Sequence, residues 1–358
     1  MTRVTAPSTP EPRSSILSIP GYTAGSPAPA GSYKLSSNEN PYPPLPGVVD
    51  AAAAALETLN RYPDVTAAPL RQRLAERLGV PADEIATTTG SSGLLMALVL
   101  TYCGPGDEVV YAWRSFEAYP TIALRAGAIP VEVPNLPDGR HDLDAMAAAV
   151  TERTKVVLLC TPNNPTGPAI TQAEFDAFIV RVPPHVVVVL DEAYLEFVRI
   201  ADPIDGLAAY RTHPNVVVTR TFSKAYGLAA MRIGYAMASA AIADTLRKVF
   251  VPFGISTVAQ AAAIASLDAE AELLARVDAL VAERDRVTAA IAEAGWDIPD
   301  AQGNFVWLPV GADRVPALVA EADALGIVVR PLVDGVRVSI GEVEANDRLV
   351  KLAQSFSR

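Results

Sequence analysis

Cysteine and histidine are scarce in this chain, and the scarcity excludes several classes of site. Of 358 residues, 2 are cysteine and 3 are histidine. Cys103 and Cys160 lie in apolar stretches without metal-like spacing, so we expect both to be reduced core residues. His141, His185 and His213 also lack ligand spacing, and we expect loop or edge positions for them. The sequence therefore predicts no metal centre.

Long apolar runs and excess positive charge are missing too. No apolar stretch reaches the ~18–20 residues of a membrane span, and the N-terminal stretch is rich in Pro, Ser and Thr, unlike a secretory signal. The net charge of -11 disfavours nucleic acid and anionic membranes as partners, although it permits a local cationic pocket. We therefore expect a cytoplasmic protein that binds neither nucleic acid nor membrane.

The order of elements along the chain predicts a two-domain α/β protein. Residues 1–46 are rich in Pro and Gly and predict an irregular N-terminal arm. In residues 47–252 strands alternate with helices, which favours a mainly parallel sheet covered on both faces. Residues 253–358 begin with a long alanine-rich helical region and predict a smaller α+β domain. The predicted strands are Ile85–Thr89, Glu108–Ala112, Ile129–Val133, Lys155–Cys160, Val186–Leu190, Val216–Thr219, Phe305–Pro309, Ile327–Arg330 and Val336–Ile340.

The most informative segment is Thr-Phe-Ser-Lys-Ala-Tyr-Gly-Leu-Ala-Ala-Met-Arg at 221–232. Its lysine, Lys224, is costly to bury in charged form, so it is expected to lose its proton near neutrality and act as an amine nucleophile. A Schiff base with a carbonyl cofactor requires such an amine. The nearby Thr221, Ser223 and Arg232 suit a phosphate ester. A surface lysine beside a helix start is the alternative.

Polar residues follow two strand-like runs, where an open parallel sheet binds its ligands. Asn164, in Cys-Thr-Pro-Asn-Asn-Pro-Thr-Gly at 160–167, can donate a hydrogen bond to a phenolate oxygen, or simply form a turn. Asp191 can pair with a protonated pyridine nitrogen and keep the ring an electron acceptor, or cap a helix. Tyr194 can donate its hydroxyl to the ring oxygen.

Two further segments suggest contacts to an anion and an aromatic ring. Gly90, Ser91 and Ser92 start a helix, whose free N–H groups favour a phosphate, although capping explains them equally well. An aromatic residue among Trp-Arg-Ser-Phe-Glu-Ala-Tyr at 113–119 can stack on a pyridine ring or pack in the core.

Arginines lie on two short strands near the C-terminus. Arg337 alternates with valines, so it is expected to point to the opposite face from them and to grip a carboxylate with its planar fork. Arg330 lies on the neighbouring strand. A surface position on an edge strand is the alternative.

Taken together, these segments resemble the cofactor site of class-II pyridoxal-phosphate-dependent aminotransferases, in the expected order from about residue 20 to the end. The resemblance implies fold type I, with a mainly parallel seven-stranded sheet sandwiched by helices and a smaller α+β domain. It implies that Lys224 attaches the cofactor and that Asp191 contacts its ring nitrogen. The remaining implied cofactor contacts are Asn164 and Tyr194 at the ring oxygen, Phe116 over the ring, and Gly90, Ser91, Ser92, Thr221, Ser223 and Arg232 at the phosphate.

The resemblance also implies a homodimer and a substrate site. Tyr62 is expected to cross the dimer interface to the partner's cofactor phosphate, and Asn38 to line the substrate mouth. Arg337 is expected to bind the substrate α-carboxylate. Arg330 and Tyr22 are expected to complete the substrate contacts.

Within the family the chain looks closest to the histidinol-phosphate aminotransferase branch. The segments at 113–117, 221–228 and 304–308 resemble aromatic amino acid aminotransferases of actinobacteria, and Tyr22, Phe116 and Phe253 are expected near the mouth. The expected reaction is transamination of phenylalanine, tyrosine or tryptophan with 2-oxoglutarate. Histidinol phosphate as substrate, and a non-catalytic pyridoxal-phosphate-binding regulator, stay open as alternatives. A decarboxylase is disfavoured because Arg337 would hold the carboxylate.

Overall fold

The computed structural model describes residues 9–21 and 27–356. The helices are α1 Ser14–Leu17, α2 Val48–Ala55, α3 Ala68–Leu78, α4 Gly90–Tyr102, α5 Ala118–Ala126, α6 Leu143–Ala148, α7 Gln172–Ile179, α8 Gly206–Thr212, α9 Ala240–Val249, α10 Thr257–Asp268, α11 Glu270–Glu293, α12 Val315–Ala324 and α13 Val343–Ser355. The strands are β1 Tyr33–Lys34, β2 Ile85–Thr88, β3 Glu108–Trp113, β4 Ile129–Pro134, β5 Thr154–Cys160, β6 Val187–Asp191, β7 Val216–Thr221, β8 Gly234–Met237, β9 Phe305–Pro309, β10 Ile327–Val328, β11 Arg330–Pro331 and β12 Gly335–Ser339.

The central sheet contains seven of the described strands, in the order β2-β8-β7-β6-β5-β3-β4. Strand β8 is antiparallel to both neighbours, and the other pairs in the sheet are parallel. The predicted mainly parallel sheet is therefore confirmed. Strand β8 was not predicted, because Gly-Tyr-Ala-Met contains neither a β-branched residue nor an apolar alternation.

Both faces of the sheet are covered, as the continuous apolar strands predict. In β6, Val188 and Leu190 belong to one apolar cluster, whereas Val187 and Val189 belong to the cluster on the other side. This alternation follows from the two-residue period of a strand. Strands β5, β6 and β7 end side by side, so the loops that follow them share one edge of the sheet.

The C-terminal part forms two small sheets. Strands β11, β12 and β9 pair antiparallel, and β10 pairs in parallel with β1 of the N-terminal arm. The predicted strand Ile327–Arg330 is therefore divided between two sheets. The prediction of an irregular arm was also wrong in part, since the arm contains α1 and β1 and its strand depends on a distant partner.

The alanine-rich region predicted over Val258–Ala294 consists of two helices, α10 and α11. They meet at Ala269, whose φ of -96° and ψ of 30° break the α-helical geometry. Helix α10 belongs to the predicted C-terminal domain but packs against α2 and α3 of the predicted large domain. The domain boundary at 252/253 stays a prediction.

Two expectations about absent features bear on the site. Cys103 and Cys160 are free and buried, as predicted, and His141 lies in a loop, also as predicted, where it is buried. No helix within residues 9–21 and 27–356 is long and apolar enough to cross a membrane. Over the same residues, no cluster of at least three His, Cys, Asp or Glu side chains suits a metal ion.

Candidate active site

A cavity of about 270 Å³ opens at the edge of the sheet where β5, β6 and β7 end. It is lined by Ser36, Ser37, Glu39, Ser91, Ser92, Phe116, Glu117, Cys160, Asn164, Asp191, Ala193, Tyr194, Thr221, Ser223, Lys224, Ala229, Arg232, Arg330 and Arg337. The structure thus brings together most of the residues that the sequence singled out. A larger cleft of about 1110 Å³ contains none of these residues and lies between Trp113, Arg140 and Pro299.

Lys224 is held in this cavity three residues beyond the end of β7. Its Nζ donates to the carbonyl of Ser37 at 3.0 Å and lies 5.7 Å from the centroid of the Tyr194 ring. Burial lowers the pKa of Lys224 to about 7, assisted by the positive charges of Arg337 and Arg232. A large fraction of this amine is therefore neutral near pH 7, which a nucleophile or a proton acceptor requires. The alternative of a surface lysine does not fit this position.

Asp191 ends β6 and is buried beneath the cavity. Its carboxylate accepts hydrogen bonds from Tyr119 Oη at 2.8 Å and from Thr219 Oγ1 at 3.2 Å. Burial raises the pKa of Asp191 to about 6 despite these donors. A partner cation in the cavity would favour the ionised form. The carboxylate is engaged by side chains and not by a helix terminus, so the capping alternative does not apply.

Tyr119 makes a contact at the candidate site that the sequence did not assign. Core packing was an equal alternative for this residue, and its ring is indeed buried. Its hydroxyl nevertheless donates a hydrogen bond from α5 to the Asp191 carboxylate. Tyr119 is distant in sequence from Asp191, so no local pattern reveals this bond.

Tyr194 is linked by a hydrogen bond to Asn38 of the N-terminal arm, which in turn is bonded to Ser339. Asn38 Nδ2 donates to Tyr194 Oη at 3.0 Å, and Asn38 Oδ1 accepts from Ser339 Oγ at 3.0 Å. Asn38 adopts a left-handed φ of 52°, which asparagine tolerates better than most residues. Burial raises the pKa of Tyr194 to about 12, so its hydroxyl stays protonated and can donate.

Arg337 lies on β12 and points away from Val336 and Val338, which are buried in the core, as the alternation predicts. Its Nη1 donates to Asn164 Oδ1 and its Nη2 to the carbonyl of Ser36, both at 2.7 Å. These acceptors are neutral, so a substrate carboxylate is a stronger acceptor for the same fork.

The start of α4 forms a cradle with Arg232. Gly90 has a φ of 79°, and a Cβ at this position would lie 2.8 Å from Arg232 Nη2. Ser91 and Ser92 follow in the first turn and line the cavity. Arg232 Nη1 is 3.4 Å from Ser223 Oγ. A guanidinium, a hydroxyl and a helix N-terminus converge here, which is the donor set of a phosphate group.

The whole chain can be compared with known proteins. Residues 31–352 match the family model described as "Aminotransferase class I and II". This chain belongs to that family. The aminotransferase is 53% identical to an aromatic amino acid aminotransferase of Streptomyces avermitilis and 52% identical to one of Streptomyces coelicolor, covering 98% of each chain in both cases.

Solved structures show the same fold. A histidinol-phosphate aminotransferase from Sinorhizobium meliloti, in complex with pyridoxal-5'-phosphate, is 30% identical, with a TM-score of 0.84 over 91% of this chain and 92% of that chain. An aspartate aminotransferase double mutant from Thermus thermophilus is 23% identical and has a TM-score of 0.78 over 90% of this chain and 91% of that chain. The predicted fold type I architecture is therefore confirmed.

Some residues that the sequence assigned to the site lie elsewhere in the single chain of the aminotransferase. Tyr62 is 82% exposed and stacks on Phe253, with their ring centroids 4.6 Å apart. Phe253 was expected near the mouth, but it is not among the residues that line the cavity in this chain. Tyr22 lies outside the described residues. Phe116 does line the cavity and contacts Tyr119 edge-to-face at 5.6 Å.

Proposed function

We propose that this aminotransferase uses pyridoxal phosphate to transfer the amino group of phenylalanine, tyrosine or tryptophan to 2-oxoglutarate, giving the aryl oxo acid and L-glutamate. The observation that carries the proposal is the partly buried Lys224, whose pKa is about 7, in one cavity with Asp191 and Arg232. The names of the actinobacterial relatives support the aromatic substrate.

The residues present fit pyridoxal phosphate. The cradle of Gly90 and Arg232 would hold the phosphate, and the buried Asp191 carboxylate would accept a hydrogen bond from the ring N–H. Tyr194 and Asn164 are available to the ring oxygen, and Phe116 to the ring face. When bound, the cofactor supplies an aldehyde for the amino group and a ring that takes up the electron pair of the substrate α-carbon.

The protein's own part in the reaction is to hold the substrate and move its proton. Arg337 exchanges Asn164 and Ser36 for the α-carboxylate and so fixes the orientation of the α C–H bond. The neutral amine of Lys224 removes the α-proton and returns it, acting first as base and then as acid. A pKa near the working pH suits both directions.

The aromatic substrate is favoured over histidinol phosphate by the charges in the cavity. A phosphate-bearing side chain needs cationic donors beyond those of the cofactor phosphate and the α-carboxylate. Arg330 is the remaining lining arginine, and it is already paired with the carboxylate of Glu117. A single guanidinium balances only half of the charge of a phosphate dianion, even when Glu117 turns away.

The same proposal includes a homodimer in the cytoplasm. Tyr62 is strongly exposed yet aromatic, and Leu59, Val65 and Val251 are also exposed. Such side chains are typical of an interface, from which Tyr62 would reach the phosphate in the partner subunit. Two free thiols fit a reducing compartment.

A substrate panel tests the proposal. Phenylalanine, tyrosine, tryptophan and histidinol phosphate are each mixed with the holoenzyme, and the cofactor absorbance is followed before 2-oxoglutarate is added. We expect the aromatic amino acids to give the fastest spectral change. Preference for histidinol phosphate would overturn the substrate, and no change with any amino acid would favour a regulator.

The role of Lys224 is tested separately. Borohydride reduction followed by peptide mapping is expected to label Lys224, and Lys224→Ala is expected to lose the absorbance of the lysine-linked cofactor. Activity should fall by about 10³-fold or more, since the same amine serves as nucleophile and base. A label on another side chain would refute the assignment.

A further inference from the structure

A charge pair at the cavity joins the large sheet to the C-terminal hairpin. Arg330 on β11 donates from Nη2 to both carboxylate oxygens of Glu117, at 2.9 and 3.1 Å, and from Nε at 3.2 Å. Both side chains line the cavity next to Phe116. Arg330 lies directly opposite Arg337 in the antiparallel register, so the two guanidinium groups share one face.

Glu117 is not explained by the stability of its own helix. It is the N-cap residue of α5, but its side chain makes no capping hydrogen bond. Its side chain is 39% exposed, whereas that of Arg330 is 14% exposed. The carboxylate can therefore turn into water at little cost, while the guanidinium stays in the cavity.

We propose that Glu117 is a displaceable counter-ion that lets one subsite accept both an aromatic and an acidic side chain. This inference rests on the proposed function, which requires both kinds of substrate in alternating half-reactions. With an aromatic side chain, Glu117 stays on Arg330, and the ring packs beside a neutralised pair. With a dicarboxylate, the distal carboxylate takes the fork of Arg330, and Glu117 turns to solvent.

The physical reason is that neither kind of substrate fits a site in which Arg330 is always paired or always unpaired. An unpaired arginine under an aromatic ring would lose hydration without an anion to replace it. A permanently paired arginine would leave the distal carboxylate without a cation. The bidentate geometry of a guanidinium fits either carboxylate equally, so exchange conserves the number of hydrogen bonds.

A second ion pair between the same segments provides a matched control. Arg114 Nε donates to Asp334 Oδ1 at 2.9 Å, linking the loop before α5 to the turn between β11 and β12. Asp334 is 52% exposed in its side chain and does not line the cavity. Asp334→Asn therefore removes a link between the segments without changing the charge in the subsite.

The test uses two unreactive acids that differ at the distal end, glutarate and 3-phenylpropionate. Their dissociation constants are measured by calorimetry with holoenzyme of the wild type, Glu117→Gln, Glu117→Asp and Asp334→Asn. For Glu117→Gln we expect glutarate to bind about tenfold more tightly, because its distal carboxylate no longer competes with an anion for the fork of Arg330. We expect 3-phenylpropionate to bind about threefold more weakly. Glu117→Asp and Asp334→Asn should retain the wild-type preference.

The outcomes separate this inference from the proposed function. Unchanged or weaker glutarate binding by Glu117→Gln overturns the counter-ion, even if the wild type turns over phenylalanine. An equal shift in Asp334→Asn also overturns it, because the effect would then come from linking the segments. If the wild type turns over no aromatic amino acid but Glu117→Gln still binds glutarate more tightly, the proposed function fails, whereas the displacement of Glu117 by a distal carboxylate stands.

Discussion

At the scale of single residues, the site depends on groups kept away from their ordinary protonation state. Lys224 and Asp191 are the clearest cases, because burial shifts the pKa of each toward its neutral form. In the protein without cofactor these shifts oppose folding. Function and stability are therefore in conflict at these two positions.

The conflict at Lys224 predicts a pH-dependent gain in stability for Lys224→Met. The folded-state pKa of about 7 lies below the ordinary lysine value of 10.5, so the unfolded chain binds more protons between these pH values. The destabilisation is complete below pH 7 and disappears as pH rises through 10.5. We expect the cofactor-free variant to be more stable at pH 6.5 by about 2 kcal/mol, allowing for partial exposure and the lost bond to Ser37.

Urea unfolding at several pH values from 6.5 to 10.5 measures this difference. Lys248→Met is the control, because the side chain of Lys248 is 70% exposed and no desolvation is relieved. A gain that does not shrink with rising pH would contradict the explanation.

Substitution of Gly90 is expected to weaken phosphate binding beyond the effect of backbone strain alone. In Gly90→Ala the new methyl group would displace Arg232, so we expect cofactor affinity to fall about tenfold, or about 1.4 kcal/mol. The control is Gly47→Ala, since Gly47 has a similar φ of 76° but nothing within 4 Å of the added Cβ. Both variants carry backbone strain, and equal losses of affinity in a cofactor titration would refute a specific cradle.

At the scale of elements, the ends of β6 and β7 are tied together by a buried ion pair. Arg220 Nε donates to Glu192 Oε2 at 2.8 Å, and the two side chains are 11% and 0% exposed. Burial raises the pKa of Glu192 even beside this arginine. The pair adjoins Asp191 and Thr221, so it helps to fix the register of two strands that carry site residues.

Breaking this pair from one side should be costly. Arg220→Met leaves a buried carboxylate without its partner, and we expect unfolding free energy to fall by about 3–5 kcal/mol at pH 8. The double variant Arg220→Met with Glu192→Leu should recover most of that loss. Thermal unfolding checks both, and a double variant as unstable as the single one would contradict the mechanism.

The elements also show what the sequence can and cannot predict. Apolar strands followed by polar motifs predicted the sheet and placed Lys224, Asp191, Asn164 and Arg337 around one cavity. Such motifs are local, and their position at strand ends follows from topology. Contacts such as Tyr119 to Asp191 or Glu117 to Arg330 join distant segments, so no local pattern announces them. Strand β8 was not predicted because its pairing with β2 and β7, and not its composition, makes it a strand.

At the scale of the whole molecule, the exposed stack of Tyr62 on Phe253 offers a place to disrupt the proposed dimer. We expect the protein to elute at about twice its chain mass of 37.7 kDa. Phe253→Asp should shift it toward the monomer and weaken cofactor retention, because an interface charge without a partner is costly. Val333→Asp, at a residue 66% exposed on the turn after β11, should leave the dimer intact. A dimeric Phe253→Asp would place the interface elsewhere.

The parallel pairing of β1 with β10 has a consequence for biosynthesis. Tyr33 lies beside Ile327 and Lys34 beside Val328, so the segment carrying Ser36, Ser37 and Asn38 is anchored by residues translated long after it. A ribosome that has made the loop carrying Lys224 has not yet made β10, the strand that anchors this segment. The nascent chain therefore cannot assemble a complete pocket until β10 and β12 have been made.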